Sequence, residues 1–168
     1  MTEIIEKCNS VISELLKFSE KLTFFGPSIS DDRIEVFERQ VGYIFPVDFK
    51  FILKKYNGIS LDGTEVYGID AELQGCSLDA LYEFEHDLAD NPMPPMFLPF
   101  SPDGFGNHYC LDLSKLSDGL CPVVFWQHDY SYDSVDEAEI CNYSFFEWIK
   151  EVMIDWTLQD YNYDGSEK

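Results

Sequence analysis

The chain predicts an α+β fold: a mostly antiparallel sheet of about five or six strands, packed with helices from the N-terminal end and one helix from the C-terminal end. Three observations lead there. Apolar residues recur at helical spacing up to Gly58, alternate or run short and continuous through the middle, and return to helical spacing from Ser144. With 168 residues, 45% hydrophobic and 16% aromatic, the chain can bury one sizeable core and is too aromatic for a disordered segment. Between Ser30 and Gly58 the helix start and stop signals are complete enough to define two docked helices. Residues 1–160 are expected as a single domain and 161–168 as a polar tail.

Residues 3–22 place Ile4, Ile5, Cys8, Val11, Ile12, Leu15, Leu16 and Leu22 on one broad face, which predicts an amphipathic helix closed by Phe24-Phe25-Gly26-Pro27. Ser30 is an N-cap residue, and Asp31 and Asp32 suit the positive end of the next helix, whose buried stripe is Ile34, Phe37 and Val41 before Gly42 ends it. Pro46 opens the following helix at a position whose N–H is not needed, and Phe49, Ile52, Leu53 and Tyr56 repeat the apolar spacing up to Asn57-Gly58. Thr64 to Ile69 alternates as a strand. Leu78 to Leu88 reads as a short helix with Leu81, Phe84, Glu85 and Leu88 at helical spacing. Asn91-Pro92-Met93-Pro94-Pro95 is a stiff connection into Phe97-Leu98-Pro99-Phe100, and Asp103 to Asn107 is a tight hairpin turn. Tyr109, Leu111 and Leu113 alternate with polar or small residues as a half-buried strand, whereas Val123 to Trp126 is apolar on both faces and should be central. From Ser144, a last helix carries Phe145, Trp148, Ile149, Val152, Met153 and Trp156. Phe37, Phe49, Ile52, Leu53, Val124, Trp126, Phe145 and Ile149 are expected to share one core.

Charge is unevenly placed. Through Gly58 there are eight Lys/Arg and nine Asp/Glu, a net of −1; from Ile59 onward there are three and 23, a net of −20, which recovers the total of −21. Such a surface repels nucleic acid and anionic lipid and attracts basic partners. The first residues show no secretory signal and no apolar run is long enough to span a bilayer, so a cytoplasmic protein is expected. Cys8, Cys76, Cys110, Cys121 and Cys141 are odd in number and scattered without a CxxC pair, which suits free thiols rather than a zinc clip or redox motif.

No catalytic motif emerges. His86, His108 and His128 lack metal-ligand spacing, and a G-x-S-x-G elbow is missing. Gly104-Phe105-Gly106 lacks the lysine and helix start of a phosphate loop, and Asp103 to Asn107 lacks the later acid of a calcium loop. No catalytic residue, metal site or cofactor is therefore assigned. The most suggestive cluster interleaves Asp129, Asp133, Asp136, Glu137 and Glu139 with Tyr130, Tyr132 and Tyr143. Tyrosine supplies rigid apolar area with a hydroxyl, and carboxylates take bonds from arginine or lysine, so this composition suits an interface with a basic protein; a solvated loop with partly packed tyrosines suits it equally.

The ordered set Ile34..Phe37-Glu38..Val41-Gly42...Phe45-Pro46..Phe49..Ile52-Leu53..Tyr56-Asn57-Gly58 resembles the signature of the SUKH (Smi/Knr-like) superfamily. Phe97-Leu98-Pro99-Phe100, Asp103-Gly104-Phe105-Gly106-Asn107, Tyr109 to Leu113, Pro122 to Trp126 and the helix from Ser144 continue it in order, so that the resemblance covers residues 30–155. Val41, Tyr43 and the Tyr/Asp-rich segment after His128 depart from it. The resemblance implies a non-catalytic immunity protein that neutralises a bacterial polymorphic toxin, with a nuclease as the toxin class whose basic cleft an acidic protein would occlude. The runner-up that the resemblance implies is an intracellular regulatory or scaffold module, like the family's eukaryotic members. Partner-binding residues expected on this reading are Asp129, Tyr130, Tyr132, Asp133, Asp136 and Glu137 with Asp103, Phe105 and Asn107; the partner is a basic toxin domain, not nucleic acid or membrane.

Overall fold

Helix α1 (Thr2–Leu15) buries Cys8, Val11, Ile12 and Leu15. The computed structural model describes residues 2–73 and 75–168. The helix stops at Leu15 although the apolar spacing runs on to Leu22, because the chain reverses to bury Phe18 and leaves Leu16 outside. Ser19 N–H then donates to Tyr163 O at 2.7 Å. The segment expected as a closing turn forms strand β1 (Thr23–Phe25) instead.

Helix α2 (Asp31–Val41) forms where its start and stop signals place it, whereas α3 (Val47–Lys55) starts one residue later than expected, with Pro46 as its N-cap, and ends two residues before Asn57. Ser30 Oγ accepts Arg33 N–H at 3.2 Å, and Gly42 takes the left-handed conformation (φ +83°) that lets its N–H reach Glu38 O. Glu38 Oε2 accepts Phe45 N–H at 2.7 Å and pairs with Lys50 Nζ at 3.2 Å, bracing the short connection between the helices. Asn57 does more than stop α3. Its side chain accepts from Ile69 N–H and donates to Ile69 O, both at 2.8 Å, which ties the end of the helix to the chain after the first sheet.

Strands β1, β2 (Ile59–Leu61) and β3 (Thr64–Val66) make a three-stranded antiparallel sheet in that order. Strands β4 (Phe97–Pro102), β5 (His108–Asp112), β6 (Val123–Trp126) and β7 (Glu139–Asn142) make a second, four-stranded one. The α+β class holds, with the strands divided between two sheets rather than gathered in one. The sheets meet where Tyr67 N–H donates to Phe100 O at 2.9 Å, beside the bulge between Pro99 and Ser101 that interrupts pairing with β5.

Strand β6 is central, and being apolar on both faces it serves two cores. Phe37, Phe49, Ile52, Leu53, Phe145 and Ile149 lie in the main core between helices and sheets. Val124 and Trp126 do not join them: they pack with Met93, Phe97, Cys110 and Ala138 in a second cluster. The expected single core is thus two, since alternate side chains of a strand point to opposite faces and both faces here are covered.

Two helices change register part-way. Helix α4 (Leu78–Glu83) passes into a π-helical stretch (Phe84–Leu88), and the wider turn leaves Phe84 and Leu88 exposed while burying Glu85. Glu85 Oε1 meets His108 Nε2 at 3.0 Å in the interior. Helix α5 (Phe145–Trp148) runs through a π-helical stretch (Ile149–Asp155) into α6 (Trp156–Asp160). Ile154 is drawn inside and Trp156 comes out, against the regular spacing that would bury Trp156. Residues 161–168, expected as a polar tail, fold back: the Tyr163 ring lies tilted against Phe18 at 4.8 Å and its hydroxyl donates to Glu14 Oε2 at 2.9 Å. All five cysteines are free, and no described helix is long and apolar enough to cross a membrane.

Candidate protein-binding surface

The β4–β5 turn is held by one carboxylate. Asp103 Oδ1 accepts the N–H groups of Phe105 (2.7 Å) and Asn107 (3.0 Å), while Oδ2 accepts Asn107 Nδ2 (2.8 Å). Burial pushes the Asp103 carboxyl up, but these hydrogen bonds outweigh it and hold it below the usual carboxylate range. The turn therefore keeps its shape at neutral pH, and it presents Phe105 at 82% exposure. An aromatic ring held out on a stiff turn loses little side-chain entropy when it is covered.

The acidic loop after β6 is fastened to this turn. Asn107 Oδ1 accepts His128 N–H at 3.1 Å and lies 2.9 Å from His128 Nδ1. Gly106 sits against the same imidazole with φ +92°, and a Cβ there would come within 2.8 Å of the ring. Glycine is required twice over. From the other side, Asn91 Nδ2 donates to His128 O (2.9 Å) and Tyr130 O (3.2 Å). Tyr132 Oη accepts Gln127 N–H at 3.0 Å, and its ring lies edge-on to Tyr130 at 4.7 Å, so Tyr132 is half-buried beneath an exposed Tyr130.

The acids differ in what they are free to do. Asp136 pairs with Lys115 Nζ at 3.0 Å, and that bond holds the Lys115 ammonium above its ordinary pKa. Glu137 Oε2 accepts Asp133 N–H at 3.2 Å, while Ser134 Oγ accepts Asp136 N–H at the same distance, giving the loop a short 3-10 turn. Asp129, Asp133 and Glu137 are exposed and have no ion-pair partner among the described residues. Three carboxylates of the loop are thus left without a cation among the described residues.

Structure brings together the two stretches that sequence singles out separately, the 103–107 turn and the 129–137 loop. Tyr143, grouped with that loop by sequence, stands apart from it, exposed between β7 and α5. Asn91, His128 and Lys115 complete the surface and were not expected in it. The Asn91-Pro92 pair marks a stiff connection in sequence, but nothing in its pattern says that the carboxamide reaches across to residues 128 and 130. The remaining histidines are satisfied locally: His86 lies 2.7 Å from Tyr82 O and 3.1 Å from Pro94 O, and His108 meets Glu85. Among the described residues no group of His, Cys, Asp or Glu side chains is arranged to hold a metal ion.

A family model described as SUKH_6, SMI1-KNR4 cell-wall, matches residues 31–149, a stretch that includes Asn91, the 103–107 turn and the whole acidic loop. The chain is 28% identical over 122 residues to the uncharacterized protein YnaB of Bacillus subtilis (strain 168), covering 71% of this chain and 72% of that protein. The crystal structure of a protein from Pseudomonas syringae pv. tomato shares the fold with a TM-score of 0.60 at 19% identity, over 88% of this chain and 98% of the other.

Proposed function

From the chain's membership of the SUKH (SMI1-KNR4) superfamily, we propose that it is a cytoplasmic immunity protein, a non-catalytic binder that covers the basic active-site cleft of a cognate bacterial toxin of the nuclease class. One observation carries this reading: two segments far apart in sequence are locked by Asn107, His128 and Asn91 into one acidic surface with Phe105 and Tyr130 standing out of it. A nuclease cleft is lined with lysine and arginine to hold phosphate. Asp129, Asp133 and Glu137 offer those cations carboxylates, and the net −20 after Gly58 draws the partner in from a distance. The two exposed rings then supply the desolvated contacts that keep the complex together.

The test is to look for a basic, toxin-like domain in the neighbouring reading frame and to co-express it with this chain. The two should co-purify, and the cells should survive. Replacing Asp129, Asp133, Asp136 and Glu137 by their amides should weaken protection without loss of soluble protein. Failure of the pair to co-purify, or full protection by the amide variant, would remove this reading.

A further inference from the structure

Asp103 and Gly104 also border a cleft of about 300 Å³ between β3, β4 and the helix that ends in α6. This volume lies at the lower end of the range for small-ligand pockets, about 300–1,000 Å³. Two of the side chains lining it are polar and buried, Glu65 at 3% exposure and Ser101 at 0%. Neither Glu65 Oε2 nor Ser101 Oγ has a hydrogen-bond partner among the described residues. Its aromatic lining comes from Tyr109 and from Trp156, which the π-helical stretch turns outward to 47% exposure. No lysine, arginine or histidine lines the cleft.

A buried carboxylate with a free oxygen is unfavourable until a cation meets it. Burial accordingly pushes the Glu65 carboxyl above its ordinary value. The lining discriminates between cations. A guanidinium is planar, offers several N–H donors in a fixed fork, and stacks on aromatic faces, so one group can serve the carboxylate, the hydroxyl and the indole together. An ammonium meets the carboxylate as a point charge and leaves the aromatic face less well used. An anion is repelled by Glu65 and Asp103 alike.

We infer that this cleft is a socket for an arginine side chain of the protein partner, with Glu65 as the counter-charge, Ser101 as a second acceptor and Trp156 as the stacking face. The identity of the partner rests on the function proposed above; the guanidinium specificity rests on the cleft. Asp103 belongs to both the cleft and the turn that carries Phe105, so an interface covering Phe105 reaches the socket without a gap.

The experiment uses the full ¹⁵N-labelled chain, titrated with the methylamide of N-acetyl-arginine and, separately, with the matching lysine and citrulline compounds. Arginine should move the Trp156 indole and Gly104 backbone N–H resonances saturably. Citrulline, of nearly the same shape but uncharged, should bind at least tenfold more weakly, with lysine between them. Glu65→Gln, which keeps the shape of the side chain, should lower arginine affinity at least tenfold, and Trp156→Ala, read on Gly104, should lower it severalfold. Arginine binding no tighter than citrulline, or unchanged in Glu65→Gln, overturns the socket and leaves a merely hydrated cleft. The toxin-like domain separates the two readings. If it binds wild type and Glu65→Gln equally, the socket falls while the immunity function stands; if free arginine binds as expected and the domain does not co-purify, the function falls and a guanidinium site remains.

Discussion

Asp48 should make the protein more stable as the solution is acidified. Its carboxylate is fully buried, with Oδ1 accepting Phe49 N–H at 2.8 Å and Oδ2 accepting Phe146 N–H at 3.1 Å, so it fastens the first turn of α3 to the first turn of α5. Burial raises its pKa from 3.8 to about 6, against the lowering effect of those backbone N–H groups. A raised carboxyl pKa means that below about pH 6 the folded chain binds a proton that the unfolded chain does not yet hold. Stability therefore grows as pH falls through 6 and levels off near the unfolded value of 3.8. At about 1.4 kcal/mol per unit, the gap corresponds to about 3 kcal/mol in full, of which ~1.4 kcal/mol develops by pH 5.

Other carboxyls titrate over the same range, and comparison with Asp48→Asn cancels them. Urea unfolding of both proteins at pH 7.5 and pH 5.0 gives two stability differences. The wild type should gain on the variant by roughly 1–2 kcal/mol between them. A difference that stays flat, or that moves in favour of the variant on acidification, would show that Asp48 is not a buried charge at neutral pH, and the account of the α3–α5 junction would fail with it.

Phe49→Ala should cost roughly 3–5 kcal/mol in urea unfolding, because Phe49 is fully buried and meets Phe145 at 5.0 Å, Phe45 at 5.9 Å and Phe100 at 6.4 Å; a loss under about 1 kcal/mol would contradict that packing. Gly106→Ala should detach the turn from His128, seen as loss of the paired shifts of Asn107 and His128 by NMR, with weaker partner binding and a nearly unchanged melting temperature. Association with the toxin-like domain should slow steeply between low and physiological salt, as the screening length shortens to about 8 Å, and a salt-insensitive rate would leave the acidity as a matter of solubility. Tyr130→Ala should act on dissociation rather than association, measured on the same complex.

The helix pair from Ser30 to Gly58 was legible, the first helix to the residue and the second to within one or two, because its signals are local: a serine oxygen for a free N–H, a glycine for a left-handed stop, a proline where no donor is needed. Strand β6 was legible as central for a similar reason. Strands β1 and β2 were not, since three residues each are too few to show alternation, and only their pairing, β1 with β2 and β2 with β3, makes them strands. The 103–107 turn and the acidic loop could each be picked out by composition. Their union could not, because it depends on contacts such as Asn107 to His128 and Asn91 to Tyr130 that span 21 and 39 residues.

The π-helical stretches hide the most, and the second bears on the socket proposed above. Along α4 and α5 the apolar residues keep a spacing that an unbroken α-helix would satisfy, so the sequence pattern continues smoothly while the backbone gains a residue in the turn. After the first stretch Glu85 faces inward and finds His108; after the second Ile154 takes the buried place and Trp156 is released. An unbroken helix would set Trp156 over Val152 and Met153 and close the indole into the core. The cleft would then keep its buried carboxylate and lose its outward aromatic face, leaving Glu65 able to attract a cation but with little to distinguish a flat guanidinium from an ammonium. On the socket proposed above, the wide turn thus exchanges regular helical hydrogen bonding for an outward aromatic face that the smooth apolar spacing of the sequence does not reveal.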